Sequence, residues 1–285
     1  MQFGILLVLT LSILTKQEVI NWSDSATQEV YFNGKYYEFE ILKDGVNNLR
    51  HMLYDLNHDR LYYIYFLYNS DPTTRAAYID TMNNNIVQIL EIENPRMVAK
   101  DYKNDFVFMG TKNGIYRLCN EGNATKLGVN DNIVALYVKG VLYYVNVKKE
   151  AFQYANGDVD KVPELITYDV DSLIVDGHED KFFLSYRRLH KTRVSKKRKT
   201  VIVPFERHIV RSMSVDVHGD VYVCAMDGIF VYDRLLKGLR KVSELTNIEA
   251  LTFNRRNEPI ISYADKIIKL KEKPTLELLL EYRTL

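Results

Sequence analysis

SMSVDVHGDVYVCAMDGIFVYD (212–233) carries an apolar strand ending at Asp216, a His-Gly-Asp turn, the strand VYVCA, an Asp-Gly turn and the strand IFVYD. Period-two alternation bounded by Gly and Asp marks short antiparallel strands. The unit returns in HMLYDLNHDRLYYIYF (51–66), RMVAKDYKNDFVFMGTKNGIYRL (96–118), IVALYVKGVLYYVNV (133–147), SLIVDGHEDKFFLSY (172–186) and EALTFNRRNEPIISYADKIIKL (249–270). The residues opening the first turn, Asp55, Asp101, Val138, Asp176, Asp216 and Asn254, are spaced by 46, 37, 38, 40 and 38 positions. A period near ~40 residues with several strands per unit predicts a β-propeller. Six units predict an all-β, six-bladed β-propeller of four-stranded antiparallel blades around a central channel.

The Asp that opens each turn has a structural explanation, because its carboxylate can accept backbone N–H groups two residues on. The second hairpin is plainest at Lys112-Asn113-Gly114 and Met226-Asp227-Gly228, where Asn-Gly and Asp-Gly predict type I′ turns. VPEL (162–165) and VSEL (242–245) read as matching outer strands. Closure of the ring has two candidates, YYEFEIL (36–42) and LELLLEY (276–282), since an open blade edge must be covered.

At 285 residues the chain suits one closed propeller, and 21 Tyr and 12 Phe can fill a large all-β core. Lys and Arg number 38 against 37 Asp and Glu. A general nucleic-acid binder would carry a basic excess, so nucleic acid is not an expected partner. The apolar run from Phe3 to Leu14 is too short to span a bilayer and fits the core of a secretory signal peptide. Residues 1–17 are accordingly read as a removed leader and 18–285 as a single propeller domain, secreted, monomeric and free of any membrane anchor. Sequons at Asn21-Trp22-Ser23 and Asn123-Ala124-Thr125 make Asn21 and Asn123 candidate glycosylation sites. Cys119 and Cys224 fall at different repeat positions three blades apart, too far to bridge, and both read as small core residues.

Five residues before each turn-opening position, where the inner strand should emerge at the channel mouth, stand Arg50, Arg96, Ile133, Asp171, Arg211 and Glu249. Five charges in six places form a candidate ligand-binding ring. Asp171 and Glu249 can offset two of the three guanidiniums, leaving about one positive charge for a ligand. The planar fork of Arg suits a carboxylate. His51, Met97 and Ser212, next along the strands, add polar groups and a polarisable sulfur. Tyr54, Tyr137 and Phe253 read as aromatic packing between blades. No dinucleotide, P-loop, zincin or nucleophile-elbow motif is present, so no catalytic residue is assigned.

The architecture resembles the calcium-dependent lactonases of the gluconolactonase and regucalcin type, which carry one Glu, two Asn and one Asp at this inner-strand column. Three Arg stand among those positions here. Only Asp171 and Glu249 could ligate, whereas a hard cation takes several oxygen ligands; no metal and no cofactor are expected. KNGIYRL (112–118), VPEL (162–165), DVHGDVYV (216–223), DGIFVYD (227–233) and IISYADKIIKLK (260–271) resemble, in order and spacing, the secreted ommochrome-binding proteins of moths and butterflies. That resemblance implies an insect haemolymph carrier for ommochromes, phenoxazinone pigments bearing carboxylate and amino-acid groups. The small-molecule pigment is then the expected partner. It fits an Arg-rich mouth backed by Tyr and Met. RRLHKTRVSKKRKT (187–200), with eight basic residues up to Lys199, reads as a solvated loop. A metal-dependent lactonase and a protein-interaction propeller using that basic segment are the alternatives.

Overall fold

The computed structural model describes residues 29–68, 71–119, 123–192, 200–202 and 208–273. The leader, the Asn21 sequon, LELLLEY and the centre of the basic segment lie outside the described residues. The rest is all-β apart from a short 3₁₀ turn at Pro163–Leu165, and no described helix is long and apolar enough to cross a membrane.

Six antiparallel sheets follow one another along the chain. Their inner strands are Leu49–Asp55, Pro95–Asp101, Ile133–Lys139, Ser172–Val175, Val210–Val215 and Ile248–Phe253, and they define blades 1 to 6. Blades 1 to 5 have four strands each in chain order. Blade 6 is closed by the N-terminal side of the chain: Lys35–Lys43 pairs with Lys266–Glu272, and Glu29–Phe32 adds a fifth strand outside it. Of the two closure candidates, YYEFEIL therefore does the work. Its register sets Phe39 opposite Leu270 and Ile41 opposite Ile268.

Each sheet is apolar on both faces, so each interface between neighbouring blades is a hydrophobic cluster. Tyr62, Ile64, Val98 and Met109 join blades 1 and 2, while Ile115, Ile133, Leu136 and Tyr144 join blades 2 and 3. Phe183 with Val145, and Phe182 with Val223, continue the ring. Tyr222 and Phe253 bridge blades 5 and 6, and Leu61 with Ile260 closes it back on blade 1. Burying each such side chain contributes about 1.5–3 kcal/mol, so the ring is held by repetition of ordinary packing.

The turn-opening acids do what their position implies, and more. Asp55, Asp101, Asp176, Asp216 and Asn254 each accept the backbone N–H two residues on, at 2.8–3.0 Å. Several also clamp the next blade: the Lys100 ammonium lies 2.9 Å from Asp55, Asn257 donates to Asp216 at 3.0 Å, and Arg234 pairs with Asp176.

Three local expectations are corrected. The Gly-containing hairpins are centred on Lys112-Asn113 and Met226-Asp227, none of which has positive φ, so they are not type I′ turns. The glycines open the following strand instead. A Cβ at Gly114 or Gly228 would collide with the Val129 or Ser243 carbonyl oxygen, so the spacing serves close backbone approach. VPEL is a 3₁₀ turn, because the outer strand of blade 3 is Asp158–Lys161 and Pro163 cannot donate to a ladder. It still matches VSEL in function: Val162 and Leu165, like Val242 and Leu245, are buried anchors at the blade end. The third correction concerns blade 3, whose tight turn at Gly140 moves its register by one, so Val134 rather than Ile133 occupies the charged column. Ile133 is fully buried between blades 2 and 3.

Candidate functional site

The column of charges coincides with a β-bulge. Pairing skips between Leu49 and His51, Pro95 and Met97, Ile133 and Ala135, Val210 and Ser212, and Ile248 and Leu251. Arg50, Arg96, Val134, Arg211 and Glu249 therefore occupy the irregular step of their strands. A bulge re-aims its side chain, and the consequence is visible at the central cavity. The cavity measures about 460 Å³ and is walled by all six inner strands. Only Arg50 and Glu249 of the charged column line it. The residues one step on, His51, Met97, Ala135, Ser172, Ser212 and Ala250, line it without exception. Two residues deeper, Leu53, Ala99, Tyr137, Ile174, Ser214 and Thr252 continue the wall, as strand periodicity requires.

The charged residues are engaged in separate contacts. Arg211 pairs with Glu249. Arg96 donates to the Asn132 side-chain oxygen. Asp171 is taken by Lys149 at 3.0 Å and by the Arg187 N–H at 3.3 Å, so it offsets no guanidinium of the column. Arg50 has neither ion pair nor side-chain hydrogen bond among the described residues. It reaches solvent, yet burial of its guanidinium and then the neighbouring Arg96 lower its pKa from the ordinary value. Arg50 is exposed at the rim, and a cation partly shielded from water beside a like charge gains from an anion.

His51 lies beneath Arg50. Burial, reinforced by the Arg50 charge, pulls its pKa down to about 4, so the imidazole is neutral at physiological pH. Its Nδ1 is buried without a hydrogen-bond partner. The aromatic residues expected between blades do pack there, and they also line the cavity: Tyr54 and Phe253 are buried in interblade clusters, while Tyr137 is half-buried against two such clusters and donates to the Val175 carbonyl at 2.7 Å. At the far end of the cavity the Tyr102 hydroxyl donates to the Tyr54 carbonyl at 2.6 Å, and the Gly177 N–H donates to the Gly219 carbonyl at 2.9 Å, drawing neighbouring turns together.

The chain is similar to an ommochrome-binding protein. That relative, from Manduca sexta, is 21% identical over 283 residues, covering 94% of this chain and 98% of its own. No protein-family model matches the chain. Solved structures share the fold: a gluconolactonase from Xanthomonas campestris has a TM-score of 0.69 at 10% identity, over 87% of this chain and 96% of its own. A calcium-binding regucalcin from Agrobacterium tumefaciens has a TM-score of 0.64 at 11% identity, over 83% and 94%.

The donor set at the mouth does not fit a metal of the lactonase kind. Among the described residues one group of three metal-ligating side chains comes together, Asp55, His58 and Asp105, and it lies away from the mouth. The Lys100 ammonium already stands 2.9 and 2.6 Å from its two carboxylates, where a cation would sit. At the mouth, Glu249 is engaged by Arg211. Cys119 and Cys224 are free; Cys224 is the core residue expected whereas Cys119 is only half-buried, and burial pushes the Cys224 thiol up to about 12, leaving it inert as a nucleophile. Asn123 is exposed ahead of the outer strand of blade 2.

Of the ligand-binding candidates read from the sequence, Arg50, His51 and Glu249 line the cavity, whereas Arg96, Asp171 and Arg211 do not; Ser172, which was not among them, does. The signal lay in the row after the column, which apart from Met97 is small or polar in every blade.

Proposed function

We propose that the protein is a secreted, non-catalytic carrier that holds an acidic aromatic pigment of the ommochrome class in the central cavity, its carboxylate on Arg50. One observation carries the reading: Arg50 is a partly desolvated guanidinium with no partner among the described residues, at the rim of a cavity of ligand size. The similarity to the Manduca ommochrome-binding protein supports the pigment class. With Arg211 paired to Glu249 and Arg96 bonded to Asn132, Arg50 is the guanidinium of the column left uncommitted at the cavity rim.

Titration of the purified protein with xanthommatin, followed by its visible difference spectrum and by retention on dialysis, tests the proposal. Saturable binding with a spectral shift is expected. An unchanged spectrum and free loss of the pigment would overturn it. Calcium-dependent turnover of a simple lactone would replace it with the hydrolase reading that the fold neighbours invite.

A further inference from the structure

The cavity has two unlike walls. On the two inward rows, blades 1 to 3 carry His51, Leu53, Met97 and Tyr137 beside two alanines, while in blades 4 to 6 Ile174 is the one large side chain among small or hydroxyl-bearing ones such as Ser172, Ser212 and Ser214. Side-chain volume on one side displaces the free space toward the other. The roomy side is also the hydroxyl-bearing one. Ser212 Oγ is buried with no hydrogen-bond partner beyond the weak Cys224 thiol beside it, and Nδ1 of His51, on the other side of blade 6, has none. Buried polar atoms are ordinarily satisfied, and leaving them unpaired is costly. Each is satisfied if its side chain turns toward a bound molecule that supplies the missing partner.

From these observations we infer that the blade 4 and 5 wall, through Ser172 and Ser212, reads the polar edge of a flat aromatic acid whose face lies against Leu53 and Met97. This rests on the carrier reading above and narrows it. The ligand must carry hydrogen-bonding atoms on its ring system as well as an acidic group, so a hydrocarbon acid of the same shape satisfies only half of the site. Ser172 and Ser212 are then determinants of specificity, and Arg50 of general acid affinity. A thioether and an aliphatic branch suit the flat face because both adapt to a ring without demanding a polar partner.

Two probes separate the parts. Xanthommatin presents ring oxygen and nitrogen atoms together with carboxylates, and naphthalene-2-carboxylate presents a flat acid with no polar ring atom. Dissociation constants for both would be measured on the wild type, Ser172→Ala, Ser212→Ala, the double variant and Arg50→Ala, with thermal melting as a check on folding. Each serine change is expected to weaken xanthommatin roughly two- to tenfold, the range of one lost hydrogen bond. Naphthalene-2-carboxylate should change less than about twofold, and Arg50→Ala should weaken both probes. Ser214→Phe, which fills the roomy side, is expected to exclude both. Equal losses for the two probes, or no loss for either, would overturn the assignment of this wall while leaving the carrier reading intact. Failure of both probes to bind the wild type would remove the carrier reading and this inference with it.

Discussion

Asp55 and Arg50 stand five residues apart on one strand, both charged and both repeated around the ring, yet their surroundings are opposite. Asp55 is fully buried and saturated: it accepts from the Asn57 N–H at 3.0 Å, faces His58 Nδ1 at 3.0 Å and holds the Lys100 ammonium at 2.9 Å. Arg50 is partly desolvated and holds nothing. The same contrast separates Asp176 and Asp216, each with at least two backbone donors, from the loose rim five residues earlier. Saturation within the fold marks scaffold, because the chain itself supplies every partner. Unsatisfied charge and unsatisfied buried polar atoms mark the end kept for something else.

The strongest way to break this contrast is to damage the saturated end. Asp55→Ala strands the buried Lys100 ammonium with Asp105 as its remaining carboxylate, and removing one partner of a buried pair typically costs about 3–5 kcal/mol. Urea unfolding should show a loss of that size. A loss under about 1 kcal/mol would mean the turn-end network is ornamental and the contrast empty.

Next in size is a pH effect from the open end. His51 has its folded pKa near 4, below the ordinary 6.5, because burial and Arg50 disfavour its charged form. The unfolded chain therefore binds this proton first, and stability falls as pH drops from about 6.5 to about 4, by ~2–3 kcal/mol. Above the unfolded value His51 contributes no slope. His51→Gln should flatten stability against pH in that window relative to the wild type. Parallel curves for the two proteins would show that His51 is better solvated than the geometry implies.

How much of this was legible beforehand depends on what each feature is made of. The six blades were, because strand alternation and Asp-bearing turns are local and recur at a fixed period. The Asx turns at Asp176 and Asp216 were legible for the same reason. The clamps from Lys100, Arg234 and Asn257 onto the next blade were not, since they join residues 41 to 58 positions apart through three-dimensional closure. At the site, the charged column was readable and its aim was not. A bulge shifts pairing by one residue without leaving a composition mark, so the cavity row from His51 to Ala250 stood one step beyond the column. Blade 3 shows the same limit: the tight turn at Gly140 displaces Ile133 into the core and puts Val134 in its place.

The contrast is sharpened by two arginines of the same column that differ in their partners. Arg50→Ala should weaken xanthommatin binding by about 1–3 kcal/mol, the worth of a charge-assisted hydrogen bond. Its stability should stay within about 0.5 kcal/mol of the wild type, since no contact within the fold is lost. Arg211→Ala should do less to binding, under about 1 kcal/mol, because its guanidinium is already committed to Glu249 in a pair open to solvent on the carboxylate side. It also frees Glu249 at the rim of the cavity, which repels an acid, so the small loss should grow at low salt and shrink at high salt. Binding isotherms of the two variants at two ionic strengths decide the matter. If Arg211→Ala costs as much as Arg50→Ala and is indifferent to salt, the ligand contacts both guanidiniums, and the column works as one ring after all.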